Sequence, residues 1–354
     1  MIMQIPFLSR NKLVVGIDIG SHSVKICQLK KNGSRYSLLS LGTALLPEGA
    51  VDDGILNEPS LVGEIVKNLL QNLRIRNKKI GFSISGYSVI VKKIVLDAME
   101  DALLEEHILA EAEQYIPFDQ DDVYLDFQDL KTNTDPQDRT DIMLVAAKKE
   151  VVQDYLFMFE EQGLTPVLVD VDGFAFENAF EHAHPNEKDV ALVNIGATTM
   201  NINLISNGIS VVARDIALGS QQLTEKIQDN LGIEFKEAED IKLGISPAGK
   251  SQEQIREIFN STCSYWVLEI KKSIDLYHAN HQDRPLQKIV LAGGGAKVSG
   301  FADFLSQETG IDVKIFSPFK GIDIDEKNID PDYLASIGPE MAIATGIALR
   351  ESVI

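Results

Sequence analysis

Apolar residues crowd positions 13–19 and alternate with polar ones over 24–29, and the small polar turn Gly20-Ser21-His22-Ser23 sits between them. That pattern predicts a strand, a tight turn and a second strand. After Pro59 the period changes. Leu61, Ile65, Leu69 and Leu73 recur at helical spacing, so 60–74 reads as an amphipathic helix, followed by a short strand at 80–84. Over 88–171 the pattern runs strand, helix, strand, strand, helix, strand. The strands are 89–96, 123–130, 141–147 and 166–171. The helices are 99–115, stopped by Pro117, and 150–162, stopped by Gly163. This order is that of a ferredoxin-like split β-α-β unit, with 132–140 as a hairpin tip.

A boundary falls at 187–189. Beyond it an apolar strand, 190–195, meets Gly196-Ala197-Thr198-Thr199 and then a second strand, 200–206. Aligned at an offset of 176, Asp18-Ile19-Gly20 matches Asn194-Ile195-Gly196, Ser23 matches Thr199 and Ile26 matches Ile202. A hairpin repeated at half-length predicts two duplicated lobes with a cleft between them. Helices follow at 221–231, 234–243 and 253–279. The last carries Cys263, Trp266, Ile270, Ile274 and Tyr277 on one stripe, as a core helix does. A strand at 289–292, the glycine loop 293–300, a helix at 301–307 and a final helix at 341–350 complete the pattern.

Composition narrows the function. The chain of 354 residues is 44% apolar and 24% charged, which excludes a disordered or fibrous protein. At ~150 residues per domain it divides into two or three domains. Its formal net charge is -20, with 53 acidic against 33 basic residues, and such a field repels nucleic acid and anionic lipid. Cys27 and Cys263 make neither a disulfide framework nor a metal spacing, which fits a reducing compartment. No apolar run is long enough to span a bilayer, and residues 1–11 read as a frayed tail rather than a signal peptide. A soluble cytoplasmic protein is expected. Residues 97–130 hold twelve acidic side chains and no Lys or Arg. They read either as a solvated face or as a docking surface for a basic segment.

Three glycine-marked turns follow apolar strands, at Gly20, Gly196 and Gly293-Gly294-Gly295. Small residues let backbone N–H groups approach phosphate oxygens, so three such turns point to a polyphosphate held between the lobes. Asp18 is placed to hold Mg2+ through water, and Lys25 either adds positive charge beside the first turn or is an exposed strand lysine. The segment Gly244-Ile245-Ser246-Pro247-Ala248-Gly249-Lys250-Ser251 fits a P-loop literally, yet a charged helical stretch precedes it where a buried strand is required. It reads as a polar connection. The dinucleotide fingerprint fails at Val298, and neither a Ser-His-Asp constellation nor a zinc spacing stands out among His22, His107, His182, His184, His278 and His281.

These residues resemble the actin/Hsp70/FtsA ATPase superfamily. Gly16-Ile17-Asp18-Ile19-Gly20-Ser21-His22-Ser23-Val24-Lys25 is similar to its phosphate 1 motif, 193–199 to phosphate 2 and 291–300 to the adenosine motif. Within it, Glu111-Ala112-Glu113-Gln114-Tyr115-Ile116-Pro117-Phe118 is similar to a signature of the PilM family of type IV pilus assembly proteins. The resemblance implies a two-lobed α/β actin-like ATPase fold of duplicated ribonuclease H-like lobes with an FtsA/PilM-type 1C subdomain. Its subdomains would be 1A (12–86 and 166–188), 1C (87–165), 2A (189–224 and 285–354) and 2B (225–284). It implies ATP with Mg2+ bound by Gly20, Ser21, His22, Ser23, Lys25, Asn194, Gly196, Ala197, Thr198, Thr199, Gly219, Gly293, Gly294, Gly295 and Lys297. Glu269 and Lys272 would contact ribose and adenine, with Asp18 and Asp172 as the residues of any hydrolysis. It further implies a cytoplasmic adaptor gripping the cytoplasmic tail of the inner-membrane protein PilN in a groove of 1A and 1C, alongside other inner-membrane pilus assembly proteins, and it allows self-association. Asn194 replaces the phosphate 2 Asp of hydrolysing members, which implies slow or absent hydrolysis with ATP as a structural clamp. An FtsA-like division protein and a small-molecule kinase are the alternatives. The end of the chain, Arg350-Glu351-Ser352-Val353-Ile354, lacks the amphipathic membrane helix of the former.

Overall fold

The computed structural model describes residues 13–97, 99–130, 139–247 and 249–351. The expected tail at 1–11 and most of the expected 132–140 tip lie outside them. In chain order the first half runs β1 (Val15–Ile19), β2 (Ser23–Asn32), β3 (Arg35–Leu45), β4 (Val51–Asp52), β5 (Ile55–Leu56), α1 (Pro59–Asn72), β6 (Lys79–Ile84), β7 (Val89–Asp97), α2 (Asp101–Tyr115), β8 (Val123–Asp129), β9 (Arg139–Lys148), α3 (Lys149–Glu161), β10 (Thr165–Val171) and α4 (Asp172–Ala183). The second half runs β11 (Val190–Ile195), β12 (Met200–Ser206), β13 (Ile209–Ile216), α5 (Gln221–Leu231), α6 (Phe235–Lys242), α7 (Gln252–Asn280), β14 (Lys288–Ala292), α8 (Phe301–Thr309), β15 (Val313–Ile315), β16 (Ile322–Asp323), α9 (Pro331–Ile337) and α10 (Ala342–Leu349).

Two sheets repeat one topology. The first reads β10-β6-β1-β2-β3-β16 and the second β13-β12-β11-β14-β15. In each, a three-strand antiparallel meander is extended by two parallel strands. The central strands β1 and β11 are buried along their whole length, as parallel-paired strands covered on both faces are. The helices after β3 and after β13 cover one face of each sheet, and Trp266, Ile270 and Tyr277 of α7 carry the second core. The duplication expected from the hairpins therefore extends over the whole lobe.

Two expected boundaries change. The six-element unit over 88–171 does not form: the third sheet is β7-β9-β8 alone, with α2 on one face. β10 pairs with β6 of the first sheet, in keeping with 166–188 as part of 1A, whereas Val151, Tyr155 and Phe159 of α3, expected within 1C, enter the first core. Which sheet a strand joins is decided by long-range pairing that a local pattern does not record. Nor does 285–354 stay with the second lobe. β16 pairs with β3, and α10 packs on β1, β2 and β6. The sequence of α10, AIATGIAL, is apolar or small all round and wholly buried, as an enclosed helix requires. α10 crosses α4 between the lobes, where Ala175, Phe176, Phe180, Ile343 and Ile347 form a shared core.

Candidate functional site

The two hairpins are built alike. In the first, Asp18 on β1 lies opposite Lys25 on β2, and the Gly20 N–H closes the turn on the Ser23 carbonyl at 3.1 Å. In the second, Asn194 lies opposite Asn201, and the Gly196 N–H closes on the Thr199 carbonyl at 2.8 Å. The cross-strand pair is an ion pair in one lobe, with Lys25 Nζ 3.4 Å from Asp18 Oδ2. In the other it is a neutral amide pair, Asn194 Nδ2 donating to Asn201 Oδ1 at 2.8 Å. The turns meet across the cleft, where the hydroxyls of Ser21 and Thr198 are 2.6 Å apart.

Glycines hold the second turn in place. A Cβ on Gly219 would overlap the Ala197 carbonyl, and the N–H groups of Ser220 and Gln221 donate to the carbonyls of Gly196 and Ala197, each at 2.9 Å. Gly293, at φ 81°, lies so close to β11 that a Cβ would come 2.6 Å from Asn194 Oδ1. Gly295 packs on Ile195, whereas a Cβ on Gly294 would meet open space. Lys297 pairs with Glu340 at 2.7 Å.

Buried acids line the first lobe's side. Asp172 opens α4 and accepts from Ser83 Oγ at 2.5 Å. Burial and the neighbouring Asp18 push its carboxyl up to about 7. Burial also raises Asp18, against the pull of Lys25. Asp215 on β13 accepts from Asn201 at 2.8 Å and, across the lobes, from the Gly86 N–H at 3.0 Å. Because Asp172 holds its proton in the fold up to about 7 but only to 3.8 in the unfolded chain, stability falls as pH rises between those values. Asp172→Asn is expected to stabilise the ligand-free protein at pH 8 by about 2 kcal/mol and to flatten its pH profile. Urea unfolding between pH 5 and 8 measures this, and parallel profiles for both proteins would refute it.

Sequence reasoning found α6 but missed the part its charges play at the paired turns. Lys242, buried on this helix, pairs with Glu239 at 2.7 Å and reaches the Ser220 carbonyl at 3.4 Å. Burial lowers its ammonium, and Lys297 beside it does the same. His22, at the rim, lies in the field of Glu239, Lys25, Lys242 and Glu340, and burial lowers its imidazole. Three amines, Lys25, Lys242 and Lys297, thus surround the paired turns in a chain of net charge -20. Glu269 and Lys272 lie on α7. Glu269 joins Lys272 at 2.5 Å and Arg214 at 3.6 Å, and among the described residues neither bonds to the hairpins. Asn201 had a signal in the sequence, since the 176-residue offset aligns it with Lys25. The P-loop lookalike is indeed preceded by a helix, α6, and no strand.

Two duplicated lobes, each presenting a strand-turn-strand across one cleft, define the two-lobed actin-like ATPase fold. MreB 5 of Spiroplasma citri bound to AMPPNP shares it, at 13% identity and TM-score 0.54 over 96% of this chain and 95% of that one. The ethanolamine utilization protein EutJ from Carboxydothermus hydrogenoformans does so at 16% identity and TM-score 0.57 over 96% and 92%. The chain belongs to the type IV pilus assembly protein PilM family, whose model matches residues 16–352. The solved PilM-PilN type IV pilus biogenesis complex contains a chain 26% identical, with TM-score 0.85 over 98% of this chain and 100% of that one. The family sets aside the kinase and FtsA-like readings. No described helix is long and apolar enough to cross a membrane.

Proposed function

We propose that the protein is a cytoplasmic adaptor of type IV pilus assembly, held at the inner membrane through its partners, that docks the cytoplasmic tail of PilN and binds ATP with Mg2+ between its lobes. The observation that carries the nucleotide reading is the meeting of the Ser21 and Thr198 turns at 2.6 Å among Lys25, Lys242 and Lys297. The residues present fit the group. Burial raises both carboxyls, Asp18 and Asp172, and Asp18 raises Asp172 further, so a divalent cation beside them would relieve both. Asp18 would hold Mg2+ through water, and the bound ion would offset phosphate charge. The Gly20 and Gly196 turns would face phosphate oxygens, and Glu239 and Lys242, rather than Glu269 and Lys272, would meet the sugar. The docking reading rests on family membership and on the relative solved with PilN.

Ligand touching both lobes stabilises the closed form by mass action. The Asn194–Asn201 pair is neutral where a hydrolysing site would carry a carboxylate, so positioning of an attacking water by charge is lost on that side. Turnover is expected far below ~1 per second, the low end of ordinary enzymes. Asn194→Asp is expected to raise it at least about tenfold, because a carboxylate there restores the charge. A phosphate-release assay decides. Wild-type turnover at ordinary enzyme rates would remove the clamp reading.

A further inference from the structure

Three polar residues stand side by side across the second sheet. Strand pairing sets Asn194 of β11 opposite Asn201 of β12, and Asn201 opposite Asp215 of β13. Their side chains bond in series. Asn194 Nδ2 donates to Asn201 Oδ1, and Asn201 Nδ2 donates to Asp215 Oδ1, each at 2.8 Å. The matching row in the first sheet is Asp18, Lys25 and Thr43. The acid therefore stands on the central strand in one lobe and on the edge strand in the other. From that edge it reaches across the lobes, where Asp215 Oδ2 accepts from the Gly86 N–H at 3.0 Å.

Gly86 lies in the link between β6 of the first sheet and β7 of the third. Its φ is 82°, and a Cβ there would come 2.6 Å from both the carbonyl oxygen and Oδ1 of Asp53. Glycine alone turns this N–H toward the second lobe. The other link of the third sheet is the step from β9 into α3 at Lys148 and Lys149. The two links touch: the Lys148 N–H donates to the Ser88 carbonyl at 2.9 Å, and the Lys148 ammonium lies 4.6 Å from the centre of the Tyr87 ring. The third sheet thus hangs from one root, and the second lobe holds that root at Gly86. A cavity of about 350 Å3, lined by Tyr87, Val89, Asp215 and Ile216, lies beside the bond. The lobes are not packed solid there, so the bond can open without unpacking a core.

Resting on the nucleotide reading above, we propose that Asp215 is a positioning residue that couples the bound nucleotide to the setting of the third sheet. Phosphates that draw the Gly20 and Gly196 turns together carry the row Asn194–Asn201–Asp215 toward the first lobe. The Gly86 bond is made in that closed setting and fixes the root of the third sheet. With the lobes apart the bond is lost, and the sheet turns about its two links. The neutral residue at 194 serves this row. Asn194 donates to Asn201 and so points the Asn201 amide N–H at Asp215. A carboxylate at 194 donates nothing, and Asn201 would turn its N–H toward it and its oxygen toward Asp215. The coupling is mutual, so restraint of the third sheet in the closed setting raises nucleotide affinity by the same factor.

Hydrogen exchange of the full chain over 86–97, with and without saturating Mg-ATP, tests this, and calorimetry measures Mg-ATP binding alongside. In the native protein Mg-ATP is expected to slow exchange there at least about fivefold. Asp215→Asn keeps the side chain's shape but offers one acceptor oxygen to two donors. It is expected to bind Mg-ATP within about tenfold of the native affinity and to lose the slowing. Asn194→Asp is expected to lose the slowing too. Arg214→Ala is the control, since its guanidinium is bonded to Ser273 and Glu269 on α7, and it is expected to keep the slowing. The inference is overturned, with nucleotide binding intact, if Mg-ATP binds the native protein without slowing exchange at 86–97. It is overturned equally if Asp215→Asn keeps the slowing within twofold, even with faster exchange throughout, as a purely structural role would give. If the native protein fails to bind Mg-ATP at all, the nucleotide reading falls and the inference with it.

Discussion

Gly346→Val is expected to leave the protein unable to complete its fold, with soluble yield lost and any recovered material destabilised by more than about 3 kcal/mol. The helices α4 and α10 cross at backbone contact, and a Cβ at position 346 would fall on the Ala175 carbonyl. No rotamer relieves an overlap at Cβ, so the helices must part. On its other side α10 is equally confined. A Cβ on Gly16 of β1 would overlap the Ala344 carbonyl and come 2.7 Å from Ala348 N. A wedge at 346 therefore opens both the α4–α10 crossing and the cover of the first sheet, and it breaks the 2.6 Å bond from Asn178 Nδ2 to the Gly346 carbonyl. Gly294→Ala is the control, since its Cβ meets nothing within 4 Å, and it is expected to change stability by less than about 0.5 kcal/mol. Urea unfolding followed by circular dichroism reads both. A native midpoint for Gly346→Val would show that the crossing is looser than described.

Lys25→Ala is expected to lower ATP affinity at least a hundredfold. Lys25 is the only amine bonded to the first turn among the described residues, 3.3 Å from the Ser23 carbonyl and 3.4 Å from Asp18. Its removal takes away the positive charge beside the first turn and leaves the Asp18 carboxyl without its cation where phosphates are to sit. Lys272→Ala is expected to leave affinity unchanged, because its ammonium is paired with Glu269 on α7 and does not join the cluster at the turns. Calorimetry with Mg-ATP separates the two. Equal losses in both variants would restore α7 as the nucleotide's partner and overturn the placement of the site at α6.

What could be read in advance was whatever depends on near neighbours in the chain. The hairpin at Asp18–Lys25 was legible because strand period and turn residues are local, and the second hairpin because it repeats the first at a fixed offset. α7 was legible from its stripe of core residues. Asp215 was not. It reaches Asn201 through the β12–β13 register, which carries a bulge at Leu204/Ile205, so no spacing announces the pair. Glu239 and Lys242 lie on a helix whose exposed positions are also charged, and only the fold shows which of its charges face the cleft. α3 and β10 follow β9 in an order that two different sheets would satisfy, and burial of Tyr155 and Phe159 in the first core decided between them. α10 carried the clearest composition of any helix yet no sign of its destination.

That destination bears on how the chain reaches its native state. Strands β1, β2 and β6 leave the ribosome early, but the helix that shields them, Ala342–Leu349, emerges only after the whole second lobe. Until then an apolar sheet face stays wet, so the amino-terminal half cannot mature as an independent folding unit during synthesis. The lobes are separate in appearance and joint in assembly. A chaperone that shelters the early half, or rapid collapse of the late one, would govern how much product escapes aggregation.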